Sequence, residues 1–198
     1  MKQESSLTLA RIADILASLY LHSPDETLVA AFREVAPALA AELDAQDVRL
    51  DAAETLEALK QDYDELFFVP VSGRYLPPFE SAQRARRLWG PLTHQVAQFY
   101  ESIAFDYTAL SVSEHWAQLD IPDHIGVELA CLSALLQTQA AQSDAAAEQA
   151  LDFFIRQHPG RWLPDFGRKV AQNAETAFYG ALGRFTTALM QNMAQRLS

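Results

Sequence analysis

In stretch after stretch of this chain, apolar residues recur at spacings of three and four, a pattern that suits packed helices and not paired strands. Leu9, Ile12, Ile15, Leu16, Leu19 and Tyr20 form the first such stripe, with Ser5 and Ser6 ahead of it as caps and Pro24 behind it as a stop. Composition agrees. Only seven of 198 residues are glycine, Ala, Leu, Gln and Glu are abundant, and no Asn-Gly or Asp-Gly pair offers a tight hairpin. The expected class is all-α, a single-domain helical bundle over residues 1–198, long enough to bury one core without staples.

The same period marks the other helices. Leu28, Val29, Phe32 and Val35 start a second, expected to break or kink near Pro37. Leu50, Ala53, Leu56, Leu59, Tyr63, Leu66 and Phe67 make a third that ends by Pro70. Glu80 and Ser81 cap a segment through Leu88 and Trp89, and Pro91 restarts the helix with Leu92, Val96, Phe99, Tyr100 and Ile103. Residues 106–121 read as a loop or short helix. A helix opening at Asp123 carries Ile125, Leu129, Leu132 and Leu136, and residues 139–147 read as an exposed connection. Leu151, Phe154 and Ile155 belong to a helix that stops at Pro159-Gly160, and Phe178, Leu182, Phe185, Leu189 and Met193 to the last one. The three tryptophans, Trp89, Trp116 and Trp162, read as packing anchors.

Charge and chemistry exclude several functions. The net charge is −11, from 15 basic and 26 acidic residues, which disfavours nucleic acid. Arg84, Arg86 and Arg87 read as a solvated helix face. Cys131, the single cysteine, permits no intramolecular disulfide, sits among leucines as a small buried hydrophobe, and fits a reducing cytoplasm. The N-terminus lacks the apolar run of a secretory signal, and no window is long and apolar enough to span a membrane. No histidine has a glutamate three residues before it, as a di-iron bundle requires, and His124 with Glu128 at i,i+4 is too few ligands for a metal. There is no nucleophile elbow, no P-loop and no Gly-x-Gly-x-x-Gly. Binding without catalysis, metal or cofactor is the expectation.

One loop stands apart. Between Phe68 and Phe79 the chain carries Val69, Pro70, Val71, Tyr75, Leu76, Pro77 and Pro78, an apolar connection that must dock on its own core or receive a partner. Arg74 and Tyr75 at its centre read as solvated.

Three ordered motifs carry a resemblance. Tyr63-Asp64-Glu65-Leu66-Phe67, Pro70 and Pro77-Pro78-Phe79-Glu80-Ser81 form the first, and Pro122-Asp123-His124-Ile125-Gly126-Val127-Glu128-Leu129 the second. The third is Phe153-Phe154, His158, Trp162-Leu163-Pro164, Phe166, Phe178-Tyr179 and Leu182. Over residues 60–190 the chain resembles the TorD/DmsD/NarJ-like chaperones of molybdenum-cofactor oxidoreductases. Departures are Val71 in place of a common Gly, Phe79 in place of Tyr, Pro159 in place of Leu, and Leu119-Asp120-Ile121 where the family has a Glu before its Pro-Asp-His motif.

The resemblance implies an all-α cytoplasmic chaperone, not an enzyme, that binds the twin-arginine leader or the folded core of a molybdoenzyme precursor, a monomer or helix-swapped dimer. The alternative is an assembly factor for a non-exported redox subunit, without leader recognition. The peptide-binding residues it implies are Tyr63, Phe67, Pro77, Phe79, Glu80, Ser81, Pro122, Asp123, His124 and Glu128. From chemistry alone Asp123 and His124 are a helix-capping pair. Under the resemblance, Asp123 is a carboxylate at an exposed helix start that can pair with a guanidinium.

Overall fold

A computed structural model describes residues 2–45, 47–117, 122–142 and 144–196, apart from the side chains of Lys2, His115 and Ala117. The elements run α1 (Lys2–Leu21), α2 (Glu26–Glu42), α3 (Leu56–Phe67), α4 (Glu80–Ala85), α5 (Pro91–Ser102), a 3-10 turn (Tyr107–Ala109), α6 (Glu114–Ala117), α7 (Ile125–Gln142), α8 (Ala145–Gln157), α9 (Pro159–Asn173) and α10 (Ala177–Arg196). The all-α expectation holds. The described residues include no strand, only an isolated antiparallel bridge between Phe79 and His124. No described helix is long and apolar enough to cross a membrane.

The chain forms two compact units, each built from separate stretches. The first holds residues 1–22, 79–162 and 197–198; the second holds 23–78 and 163–196. The first is organised by α1 against α7. Ser6 Oγ donates to Gln139 Oε1 at 3.1 Å near one end of the pair, and Gly126 lies against Leu21 and Ala17 at the other, so the helices run antiparallel. A Cβ on Gly126 would fall 2.4 Å from Leu21, which is why glycine stands there. Leu9, Ile12, Leu16 and Leu19 of α1 and Ile125, Leu129, Leu132 and Leu136 of α7 are buried, each worth roughly 1.5–3 kcal/mol relative to exposure.

In the second unit, Phe32 of α2 meets Phe178 and Phe185 of α10 edge to face, and Tyr63 and Phe67 of α3 pack on Tyr179. Helices α9 and α10 approach through Gly167 and Gly183. A Cβ on Gly183 would lie 2.5 Å from backbone atoms of both Gly167 and Ala171.

Several boundaries differ from the sequence reading, for local reasons. Helix α2 passes through Pro37 unbroken. The third stripe becomes helical only at Leu56, capped by Thr55, because residues 51–54 are engaged elsewhere. Asp51 accepts the Ala53 N–H, Arg33 donates to the carbonyls of Asp51 and Glu54, and the Glu54 carboxylate accepts the first amides of α10 at Ala177 and Phe178. The supposed connection 139–147 is mostly helix, since α7 continues to Gln142 and Asp144 caps α8 through the Ala147 N–H at 2.7 Å. Pro159 does not end the helical run but opens α9, where its missing N–H costs nothing. Residues 118–121 of the 106–121 segment lie outside the described residues. Trp116 and Trp162 are buried anchors, but Trp89 is 54% exposed.

Gly183→Ala should cost about 2 kcal/mol or more, because the Cβ meets backbone that can move only by separating α9 from α10. Gly180→Ala, with open space around its Cβ, should be neutral or gain up to about 1 kcal/mol from helix propensity. Urea denaturation midpoints of the two variants check both.

Candidate functional site

Of the residues singled out from sequence, Phe79, Glu80, Ser81, Pro122, Asp123, His124 and Glu128 lie in the first unit, and Tyr63, Phe67 and Pro77 in the second. All but the half-buried Pro77 are buried. The structure gathers the first seven into one polar cluster. Its foundation is the Phe79–His124 bridge, extended by the Glu80 N–H donating to the Asp123 carbonyl at 2.9 Å and the Ser81 N–H donating to Asp123 Oδ2 at 2.8 Å. The start of α4 is thereby capped by a carboxylate 42 positions away. The expectation of an exposed Asp123 is corrected here. The side chain is fully buried, with Oδ2 bonded to the Ser81 N–H, so it is not available to a guanidinium in solvent.

Glu80, with no exposed surface, is the most connected of these groups. Its Oε1 accepts from Arg84 one turn along α4, and its Oε2 lies 2.9 Å from His158 Nδ1 at the end of α8. Arg84 also donates to the Gln157 carbonyl at 2.8 Å. Glu128, one turn into α7, accepts from Trp162 Nε1 at 3.0 Å. His124 sits among rings, 5.4 Å from Phe79 and 4.4 Å from Trp116 between centroids, and its Nδ1 accepts the Gly126 N–H at 3.1 Å. Tyr100 donates to the Pro122 carbonyl at 3.2 Å, and Trp116 to the Tyr20 carbonyl at 3.1 Å.

Burial sets the ionisation. Desolvation, aided by the negative charge of Glu80, raises the Glu128 carboxyl well above the usual range, and the same two causes raise Asp123 less. Desolvation lowers the His124 imidazole to about 3. At neutral pH His124 is therefore uncharged with its proton on Nε2, since Nδ1 is an acceptor. Among the described residues, His124 Nε2, Asp123 Oδ1, Glu128 Oε1 and Ser81 Oγ are buried without hydrogen-bond partners. Such orphaned groups each cost about 1–3 kcal/mol. No group of three or more His, Cys, Asp or Glu among the described residues is placed to hold a metal ion.

In the second unit, the apolar loop docks on its own core. The Leu76 N–H donates to the Leu66 carbonyl at 2.7 Å and Ser72 Oγ to the Glu65 carbonyl at 2.7 Å. Arg74, read from sequence as solvated, bonds Asp62 at 2.6 Å, Glu65 at 2.5 Å and the Asn173 carbonyl at 2.8 Å. Asp62 also accepts the amides of Glu175 and Thr176. Only the tip stays open, with Pro70 exposed and Val71 92% exposed. Tyr63 and Phe67, which the resemblance places among the peptide-binding residues, are core.

Sequence reasoning missed Arg84, His158 and Trp162 as members of the cluster. The i,i+4 spacing of Glu80 and Arg84 was a usable signal. The His158 and Trp162 contacts, 78 and 34 positions from their partners, had none.

The sequence model of the nitrate reductase delta subunit family matches residues 25–168, and the chain belongs to that family. A chaperone protein TorD from Shewanella loihica is 33% identical over 138 residues, 65% of this chain, and the match spans only 57% of that relative's length. A crystal structure of an Archaeoglobus fulgidus protein assigned to redox enzyme maturation shares the fold, with a TM-score of 0.51 at 20% identity over 98% of this chain and 94% of that one.

The pH dependence of stability follows from Glu128 and His124. A raised carboxyl is protonated in the folded state while the unfolded one, near 4.5, is not, so its stabilising effect is lost as pH rises above that value. A depressed His124 destabilises the fold as pH falls from 6.5 towards about 3. Glu128→Gln, which keeps an acceptor for Trp162, should melt higher than the parent at pH 8, with the difference shrinking to nothing below about pH 4. Thermal melts across that range check it; a pH-independent difference would mean Glu128 does not titrate with folding.

Proposed function

We propose that this protein is a cytoplasmic chaperone that binds the precursor of a molybdenum-cofactor oxidoreductase, through its twin-arginine leader and its folded core, and holds it until the cofactor is inserted. The observation that carries this reading is family membership over residues 25–168, a span that takes in the first two motifs and the start of the third. The similarity to a TorD chaperone supports it. The activity is binding without turnover.

The ten motif residues, buried but for Pro77, act as positioning residues. They hold the loop and the start of α4 in place and do not themselves cover the leader. Contact with the leader's apolar stretch falls to the open loop tip, Phe68 to Val71, where Val71 is almost wholly exposed. The leader's basic end is drawn by a chain of net charge −11. Because the field is an exposed one, added salt weakens the attraction.

Titration calorimetry against twin-arginine leaders from the molybdoenzymes of the same organism, with twin-lysine controls, tests the proposal. One leader should bind with micromolar or tighter affinity. Val71→Asp should weaken that binding about tenfold while leaving the melting temperature unchanged, since the residue touches little of its own fold. Failure of every leader to bind would remove leader recognition from the function.

A further inference from the structure

The sequence pattern carries the α4 helix on through Leu88 and Trp89 with a solvated arginine face; the chain instead turns. Helix α4 ends at Ala85, and Arg86 adopts a left-handed conformation (φ 54°). Three residues later Trp89 does the same, at φ 58°. Side chains bearing a Cβ avoid this region, and neither position is glycine. Between them the chain presents Arg86, Arg87, Leu88 and Trp89 outwards, with Leu88 40% and Trp89 54% exposed. Among the described residues no hydrogen bond, ion pair or ring contact holds the side chains of Arg86, Arg87 or Trp89.

The turn is fixed at both ends. On one side, Arg84 is tied to buried Glu80 and to the Gln157 carbonyl, and the Arg86 and Arg87 amides donate to the Ala82 and Ser81 carbonyls. On the other, buried Gly90 precedes Pro91 at the first turn of α5. The polar cluster thus anchors an exposed cationic and aromatic turn. Exposed Trp and Arg are the side chains that most often dominate protein interfaces.

We propose that the 86–89 turn is a docking element for an acidic patch containing an apolar pocket on the folded, leader-free body of the partner. The inference rests on the reading of the protein as a precursor-binding chaperone. Three features select this occupant. A half-exposed indole is fully buried only in a pocket, which a folded surface has and an extended leader lacks. A basic leader is repelled by Arg86 and Arg87. Second copies of a chain at −11, and anionic lipid, are repelled by the molecule as a whole.

The test uses the full chain, Arg86→Glu/Arg87→Glu and Trp89→Asn, the last because Asn tolerates a left-handed backbone. Leader-deleted catalytic subunits of the organism's molybdoenzymes serve as probes in interferometry, with the leader peptides titrated in parallel. Melting temperatures show that the variants fold. One subunit should bind the parent, and both variants should lose at least tenfold in affinity for it while leader affinity stays within twofold. Binding should also shield Trp89, the exposed one of the three tryptophans, from acrylamide quenching. The proposal is overturned if no subunit binds the parent, or if the variants bind it like the parent. It is equally overturned if the charge reversal instead abolishes self-association in sedimentation or binding to phosphatidylglycerol vesicles. Loss of leader binding alone would sink leader recognition and leave this surface standing.

Discussion

Glu80 has no contact with solvent, so every interaction that keeps a carboxylate there must come from the protein itself. It is met by Arg84 on its own helix, by His158 at the end of α8, and through its backbone by Asp123 ahead of α7. One residue, by side chain and backbone together, thereby joins α4 to two segments of the first unit that are distant in sequence. The neighbouring consequences follow from the same burial. Its charge adds to the burial that raises the Glu128 carboxyl well above its usual range and Asp123 less, and burial keeps His124 neutral. Breaking such a centre by removing one member strands the others, which is why an Asp123/His124 double alanine would report on folding more than on binding.

Asp62 plays the corresponding part in the second unit. Its carboxylate receives Arg74 from the loop and the amides of Glu175 and Thr176 ahead of α10. The apolar loop is consequently seated by an ion pair as much as by its hydrophobic side chains, and only its tip is left open. In both units a buried acid is the fastener and an exposed turn is what it displays: Pro70-Val71 in one, Arg86 to Trp89 in the other.

Much of the secondary structure is legible in the sequence. Helices α5 and α10 fall where the spacing of apolar residues puts them, α1 does so but begins at Lys2, with its expected caps Ser5 and Ser6 inside it, and Pro91 opens α5 as its chemistry requires. The errors have a common cause. Residues 50–54 carry a helical pattern but spend Asp51, the carbonyls and Glu54 on partners elsewhere, and Asp144 serves as a cap where a loop was read. In the candidate site, the motif residues were found but their exposure was not. An aspartate before a helix reads the same whether its cap is local and wet or, as for Asp123, directed at an amide 42 positions away in the interior.

By itself the sequence determined the helical class, most helix positions and the order of motifs that places the chain in its family, because apolar periodicity and turn residues act over a few positions. The tertiary structure decided which polar residues are buried, which of them pair, and which apolar ones stay outside. Those outcomes depend on segments far apart in the chain arriving together. His158 reaches Glu80 across 78 positions and Trp162 reaches Glu128 across 34, while Trp89 stays half exposed.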